Sequence, residues 1–149
     1  MHKAIINFIL LLILHSSLFT LHSSSAYGGE RYNFNAGWTL ALGDMQNITP
    51  ATPQLDVTLP YAFNQTEAFS RNCGELSDTV MVYTKHFRLP RQMKGRRVMI
   101  EFEGARFAAM VYLNGKEVGT CDNGVMAFGF DLTPYIDYKG ENILQVLIN

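Results

Sequence analysis

Apolar and polar residues alternate with a period of two along several segments of the chain. In segment 98–103, valine, isoleucine and phenylalanine occupy one set of alternate positions, while methionine and two glutamates occupy the other. Segment 109–113 alternates in the same way. This period is typical of strands, and in segment 98–103 one face is buried and the other solvated. After residue 26, no stretch of ten or more residues repeats apolar residues at helical spacing, so the pattern predicts an all-β domain.

More segments are rich in β-branched, aromatic or other apolar residues and extend the set of predicted strands: Leu55–Leu59, Val80–Leu89, Met126–Phe130 and Ile143–Ile148. Pro60 and Pro90 stop the first two, because proline cannot donate to a strand ladder. The last segment is apolar on both faces, which predicts a strand that lies between two others. Short strands punctuated by turns predict an antiparallel β-sandwich.

Asn114-Gly115 is the strongest turn signal in the sequence. It stands between Val111–Leu113 and Lys116–Val118, and both of its residues tolerate positive φ. A two-residue β-hairpin is therefore predicted here.

The first 26 residues have the pattern of a secretory signal peptide. Lys3 precedes an apolar run from Ala4 to Leu14, and Ser24-Ser25-Ala26 places small residues where signal peptidase cleaves. The alternative is an uncleaved membrane anchor, but the apolar core is shorter than the roughly 20 residues of a membrane span. We therefore predict a signal peptide over 1–26 and an exported domain over 27–149, periplasmic or extracellular, with no membrane association after cleavage.

Composition narrows the possible functions. The 149 residues carry 12 Lys+Arg against 13 Asp+Glu, a formal net charge of −1, so nothing favours binding to nucleic acid. Once the leader is removed only His86 remains, and Cys73 and Cys121 are too far apart for a short-range ligand pair. We expect no metal and no cofactor, and the pairing of the two cysteines stays open.

The sequence ends on the apolar strand segment, without a polar tail. Natural carboxyl termini are more often frayed polar segments. We therefore expect this chain to be a fragment of a longer protein.

Six motifs carry a family resemblance: Tyr32–Trp38, Val57–Pro60, Tyr83–Phe87, Phe102–Ala105, Val111–Gly119 and Phe128–Thr133. In this order they resemble the amino-terminal sugar-binding domain of glycoside hydrolase family 2, which comprises β-galactosidases, β-glucuronidases and β-mannosidases. The resemblance implies a jelly-roll β-sandwich followed by an immunoglobulin-like domain and a catalytic (β/α)8 barrel. Both of these domains are missing from this chain.

The resemblance also implies where the chemistry lies. Retaining glycosidases use two carboxyl groups about 5 Å apart, and in this family both glutamates belong to the barrel. This chain alone is thus predicted to be inactive, and its partners are the missing domains and a β-galactoside or related glycan. Glu101 and Glu103 share one strand face, but the alternation places that face in solvent.

Asn114 is the candidate substrate-binding residue. In family members resembling the bacterial lactose-cleaving enzyme, the asparagine of this turn reaches into the barrel's pocket and binds the sugar. An amide suits that task because it offers both donors and an acceptor to hydroxyl groups. The alternative is that Asn114 only forms the turn. Tyr61 departs from the family pattern, which often has histidine after Leu-Pro.

Four aromatic residues, Trp38, Tyr61, Tyr83 and Tyr135, have rings that suit stacking on sugars. Core packing is the favoured interpretation of all four. At the level of function, the alternatives are a stand-alone carbohydrate-binding, lectin-like module and an adhesion or assembly domain. A binding module predicts micromolar to millimolar sugar affinity, and an assembly domain predicts a partner protein on the strand edges.

Overall fold

The computed structural model describes residues 29–49, 51–64, 79–105, 108–124 and 126–148. The chain divides into two units, one ending at Asn33 and the other beginning at Phe34. In the first unit the described residues, 29–33, form no strand, and the Tyr32 hydroxyl donates to a Glu30 carboxylate oxygen at 2.6 Å. The predicted signal peptide and Cys73 lie outside the described residues.

The second unit contains a six-stranded antiparallel sheet with the order β2-β1-β3-β8-β5-β6. Its strands are β1 (Trp38–Leu42), β2 (Leu55–Val57), β3 (Met81–Phe87), β5 (Ala109–Leu113), β6 (Lys116–Cys121) and β8 (Asn142–Ile148). The doubly apolar β8 lies between β3 and β5, as its pattern predicted.

A smaller sheet pairs β4 (Met99–Phe102) with β7 (Phe128–Asp131). Ile100 is buried while Met99 and Glu101 are exposed, so the predicted alternation is confirmed. Two short 3-10 helices, Arg91–Met93 and Thr133–Tyr135, are the helices of the described residues, and neither is long enough to span a bilayer.

The core forms between the two sheets and contains side chains from both. In β5, Ala109, Val111 and Leu113 are fully buried. Burying a valine or leucine side chain stabilises the fold by roughly 1.5–3 kcal/mol before the entropy of ordering is subtracted. The all-β, antiparallel prediction is confirmed.

Strand boundaries differ from the sequence-based ones where pairing ends. The second strand stops at Val57 because the Leu59 N–H donates to the Asn35 carbonyl at 2.9 Å instead of to β1. The third strand stops at Phe87, which pairs with the first residue of β8. Phe128 opens β7 because it pairs with the last residue of β4.

Candidate functional site

The tip of the β5–β6 hairpin is the tight turn that the sequence predicted. Asn114 has φ 53° and Gly115 has φ 76°, the left-handed pair that a type I′ turn requires. Glycine adopts this conformation without strain, and asparagine is among the few other residues that tolerate it. The prediction of a two-residue hairpin is confirmed.

The side chain of Asn114 bonds within the domain. Its Nδ2 donates to the Tyr135 carbonyl at 2.9 Å and to Asn142 Oδ1 at 2.9 Å. Its Oδ1 accepts from the Ile143 N–H at 2.9 Å, and its own N–H donates to the Ile143 carbonyl at 2.9 Å. The amide therefore ties the hairpin tip to the start of β8 and to the Thr133–Tyr135 helix.

Asn142 is the second member of this network and is completely buried. Its Oδ1 accepts from Asn114 Nδ2 and from the Asp137 N–H at 2.7 Å, while its Nδ2 donates to the Asp137 carbonyl at 2.9 Å. A buried amide is stable only with such partners. Asn142 thus fixes the loop before β8 and the orientation of Asn114 together.

These hydrogen bonds leave Asn114 one acceptor position, on Oδ1, for a ligand. Both Nδ2 hydrogens are used, whereas Oδ1 accepts one described bond and an amide oxygen has two lone pairs. The residue is exposed. It can therefore accept one hydrogen bond from a hydroxyl group, and its role in substrate binding remains a prediction.

An Asp131-centred cap holds the end of β7 beside this network. The Asp131 carboxylate accepts from the Thr133 N–H at 2.9 Å and forms an ion pair with Arg97 at 2.9 Å. Hydrogen bonds from the side chain and backbone of Thr133 lower the pKa of Asp131 most; burial opposes them, and Arg97 lowers the pKa further by a smaller effect. Thr133 in turn accepts from the Val98 N–H at 2.8 Å, which links the cap to the start of β4.

Lys85 is a charged residue on the core-facing side of β3. Its ammonium lies 4.3 Å from the centre of the Phe34 ring and 5.7 Å from that of Trp38, and it donates to the Ala36 carbonyl. Burial lowers the pKa of Lys85, while the ring faces and the carbonyl favour its charged form. Trp38 Nε1 also donates to the Phe34 carbonyl at 2.8 Å, so the cluster fastens the segment that precedes β1.

The acidic residues considered from the sequence do not form a buried pair. Glu101 and Glu103 are both exposed, as their alternation indicated. Among the described residues, no group of three or more histidine, cysteine, aspartate or glutamate side chains is arranged to hold a metal. His86 Nδ1 lies 3.1 Å from Glu141 Oε2 in a pair that is half exposed on both sides.

The candidate stacking aromatics pack into or against the core. Trp38 and Tyr83 are buried, which confirms their interpretation as core residues. The Tyr83 hydroxyl donates to the Tyr61 carbonyl at 3.1 Å, and burial raises its pKa. Tyr61 and Tyr135 are partly buried and pack against the same core.

A shallow depression of about 270 Å³ lies between β1 and β2. It is lined by Gly37, Trp38, Thr39, Asp56, Val57 and Thr58. Asp56 and Thr58 are exposed, so polar groups are accessible there. Neither this depression nor the roles of Asn142 and Lys85 followed from the sequence, because each depends on residues brought together from separate segments.

Comparisons with known proteins identify relatives of this fold. Residues 60–149, more than half of the chain, match the family model described as glycosyl hydrolase 2 galactose-binding domain-like. A β-glucuronidase of Formosa agariphila is 36% identical over 130 residues, which cover 79% of this chain and 13% of that enzyme. The β-galactosidase BoGH2A of Bacteroides ovatus is 32% identical over 130 residues, covering 80% of this chain and 15% of that enzyme.

A solved structure shares the architecture. The structure of a β-glucuronidase from glycoside hydrolase family 2 superposes with a TM-score of 0.72 at 35% identity, over 79% of this chain and 14% of that chain. The similarity therefore covers most of this chain and a small part of each relative.

Proposed function

This chain belongs to the glycosyl hydrolase 2 galactose-binding-like family of amino-terminal domains, and we propose that it is the non-catalytic first domain of a longer retaining β-glycosidase. The observation that carries the proposal is the extent of the match. The chain spans only 13% and 15% of the two curated relatives, although they resemble most of it. Most of the polypeptide of such an enzyme lies outside this sandwich.

The chemistry of the described residues favours a non-catalytic role for this domain over hydrolysis of a glycosidic bond. Two carboxyl groups about 5 Å apart, one of them held protonated, are needed for retaining hydrolysis. Glu101 and Glu103 share a solvated face, and the Asp131 carboxyl has a lowered pKa, which is the wrong direction for a general acid. We propose that the missing immunoglobulin-like and (β/α)8 barrel domains supply the acid and the nucleophile.

We propose a β-linked glycan as the substrate of the whole enzyme. The relatives named above are a β-glucuronidase and a β-galactosidase. The two sugars differ in the substituent on C5, a carboxylate against a hydroxymethyl group, and in the configuration of the hydroxyl group at C4. Paired assays with aryl β-galactoside and aryl β-glucuronide therefore distinguish them, and the resemblance of the Asn114-Gly115 turn to that of β-galactosidases favours the galactoside.

Asn114 is proposed to contact the sugar through the free acceptor position of Oδ1. In the full-length enzyme Asn114→Gly keeps the left-handed turn but removes the amide. Loss of one hydrogen bond worth about 0.5–1.5 kcal/mol lowers kcat/KM by up to about tenfold. Lys116→Ala, at the exposed residue two positions along, is the matched control. A kcat/KM unchanged in a folded Asn114→Gly enzyme would assign Asn114 to the turn alone.

We further propose a jelly-roll arrangement of the sandwich and export of the chain. The apolar run from Ala4 to Leu14 and the Ser24-Ser25-Ala26 site support export by a cleaved signal peptide. Amino-terminal sequencing of the secreted protein tests this, and we expect Tyr27 as its first residue. A mature protein that begins with Met1 would contradict cleavage.

The decisive experiment for the proposed function is to follow the reading frame beyond residue 149 and assay its whole product. We expect an in-frame continuation into a barrel with two catalytic glutamates and turnover of one of the two aryl glycosides. If the frame stops and the folded chain releases heat on titration with galactose, the alternative of a stand-alone carbohydrate-binding module replaces this proposal.

A further inference from the structure

Basic side chains are concentrated in one loop of the sandwich. Residues 88–98 join β3 to β4, and we call them the basic loop. The loop contains no aspartate or glutamate, and its five basic residues, all exposed, are Arg88, Arg91, Lys94, Arg96 and Arg97. The whole sequence has 12 lysines and arginines, so this loop holds a large share of them. The near-neutral net charge of the chain therefore conceals an uneven distribution.

The basic loop is fastened at both ends to the hydrogen-bond network of Asn114. Phe87, the residue before the loop, pairs with Asn142, whose Oδ1 accepts from Asn114 Nδ2 at 2.9 Å. At the other end, the Val98 N–H donates to Thr133 Oγ1 at 2.8 Å. Because β3 and β5 lie on either side of β8, Phe87 is about 10 Å from the hairpin tip at ordinary strand spacing.

The opposite end of the sandwich carries the opposite charge. Among the described residues, the loops at that end contain Asp44, Glu103 and Asp122 and no lysine or arginine. At the Asn114 end, the loop between β7 and β8 adds two acidic residues and one lysine to the basic loop. Cations thus outnumber acids where Asn114 lies, and charge separated in this way attracts anions to that end.

Three of the five cations are available for an external anion. Arg97 is paired with Asp131 at 2.9 Å. Arg88, Arg91 and Lys94 form no ion pair with a described residue. Residues three apart eclipse one another in a 3-10 helix, which here spans Arg91–Met93, so Arg91 and Lys94 lie on the same side of the loop, about 6 Å apart along its axis.

The chemistry of these three side chains indicates the class of ligand. A guanidinium group binds a carboxylate or another oxyanion through two parallel hydrogen bonds, and a lysine ammonium binds it as a point charge. Arg88, Arg91 and Lys94 are spread along the loop, so an extended ligand with several anionic groups fits them better than one small anion does.

We propose that the basic loop binds the acidic sugars of a polysaccharide while a β-linked sugar of the same chain lies at Asn114. The ligand class is a glycan with carboxylate or sulfate groups on the sugars next to the bond that is cleaved. An acidic surface of the missing domains is the other candidate partner. The position of the loop beside Asn114, where the substrate must arrive, favours the glycan. This inference rests on the proposed function and names its substrate class.

Binding of a labelled oligosaccharide to the full-length enzyme tests the proposal without relying on turnover. The acidic probe is a fluorescein-labelled chondroitin sulfate hexasaccharide, which carries carboxylate and sulfate groups, and the neutral probe is a β-linked galactose hexasaccharide with the same label. Fluorescence anisotropy gives the Kd of each. We expect the acidic probe to bind more tightly at low ionic strength and to lose this advantage as salt is added. Equal affinity for the two probes at low salt would overturn the proposal.

Substitutions assign the binding to the basic loop. The triple variant Arg88→Gln, Arg91→Gln and Lys94→Gln should weaken binding of the acidic probe about tenfold, roughly twofold for each exposed ion pair. The matched control, Asp44→Asn with Asp122→Asn, changes the net charge at the opposite end and should leave the Kd within about twofold. If the control tightens binding as much as the triple variant weakens it, the attraction is to net charge and the proposal is wrong.

Inhibition kinetics test the position of the loop relative to the substrate. In the active enzyme the acidic probe should compete with the aryl glycoside, raising the apparent KM without changing kcat, and the triple variant should require about tenfold more probe for the same inhibition. Binding of the probe without competition would place the loop away from the substrate and overturn the proposal. A triple variant with a lowered unfolding temperature and an unchanged Kd for the probe would instead assign the loop to a contact with the missing domains.

The two proposals fail in different ways. An active glycosidase that binds the acidic probe no more tightly than the neutral one refutes only the acidic glycan. A full-length protein that binds the acidic probe through the basic loop, but hydrolyses neither aryl glycoside, refutes the proposed function and retains the anion-binding loop.

Discussion

Gly119 is a position where a single added methyl group should destabilise this domain. A Cβ built on Gly119 would lie 2.4 Å from Phe130 Cε1 and 2.8 Å from Phe130 Cδ1, whereas ordinary contacts begin near 3.4 Å. The Phe130 ring must therefore move by about 1 Å, from 2.4 Å to the 3.4 Å of an ordinary contact. Phe128 packs edge-on against that ring at 5.8 Å, which restricts the movement.

Two effects of Gly119→Ala oppose each other. Overpacking of a core costs about 1–3 kcal/mol, while replacing glycine in a strand recovers about 0.5–1 kcal/mol. The difference is about 0–2.5 kcal/mol, and because the closest contact is only 2.4 Å we expect the upper part of it, a net loss of about 1–2 kcal/mol in the free energy of unfolding, with a fall of about 4 °C in Tm per kcal/mol. Phe130 is half-buried, so part of the strain can relax and the lower end of the range applies if the ring shifts outward.

Urea unfolding followed by tryptophan fluorescence measures this loss, because Trp38 is the sole tryptophan and is buried. Gly104→Ala is the matched control, since a Cβ there meets nothing within 4 Å, and it should stay within about 0.5 kcal/mol of the parent. In a Phe130→Leu background Gly119→Ala should cost much less. Equal stability of Gly119→Ala and Gly104→Ala would refute the packing argument.

Two further predictions concern the polar network beside the hairpin. Asn142→Ala removes the acceptor that Asn114 Nδ2 and the Asp137 N–H share, so it should lower the free energy of unfolding by about 2–4 kcal/mol in urea unfolding. A loss below about 0.5 kcal/mol, on the order of a surface substitution, would mean that water replaces the amide. For Asp131 the folded pKa is lowered from 3.8, so its carboxylate contributes stability above that value and loses it as pH falls through the folded pKa. In the Asp131→Asn variant the asparagine Oδ1 can still accept from the Thr133 N–H, but the charge is lost. The parent should therefore have the higher Tm at neutral pH, and the difference should vanish in strong acid. A Tm difference that does not change with pH would contradict this role of the Asp131 charge.

The sequence predicted what depends on neighbouring residues. Alternation over 98–103 and 109–113 placed the right side chains in the core, and Asn114-Gly115 determined its own turn. What escaped prediction depends on residues distant in sequence. Asn142 precedes the strand that the sequence predicted over 143–148, and its burial depends on the hairpin at Asn114 and on the loop at Asp137.

The role of Lys85 in β3 could not be predicted from neighbouring residues either. Its position in the alternation of β3 places it on the core side, where a lysine is unexpected. The Phe34 and Trp38 rings that accept its charge come from a segment about fifty residues earlier. Leu42 is a further case, because it lies on the same face of β1 as buried Trp38 and Leu40 but is itself exposed.

We propose that this sandwich supports catalysis by the rest of the enzyme and does not itself perform it. The most direct measurement compares release of nitrophenol from aryl β-galactoside and β-glucuronide by the purified 149-residue chain and by the full product of its reading frame, at equal molar concentration. We predict turnover by the full product and none by the chain above a contaminant control purified in parallel. Turnover by the chain that persists through successive purification steps would contradict the claim.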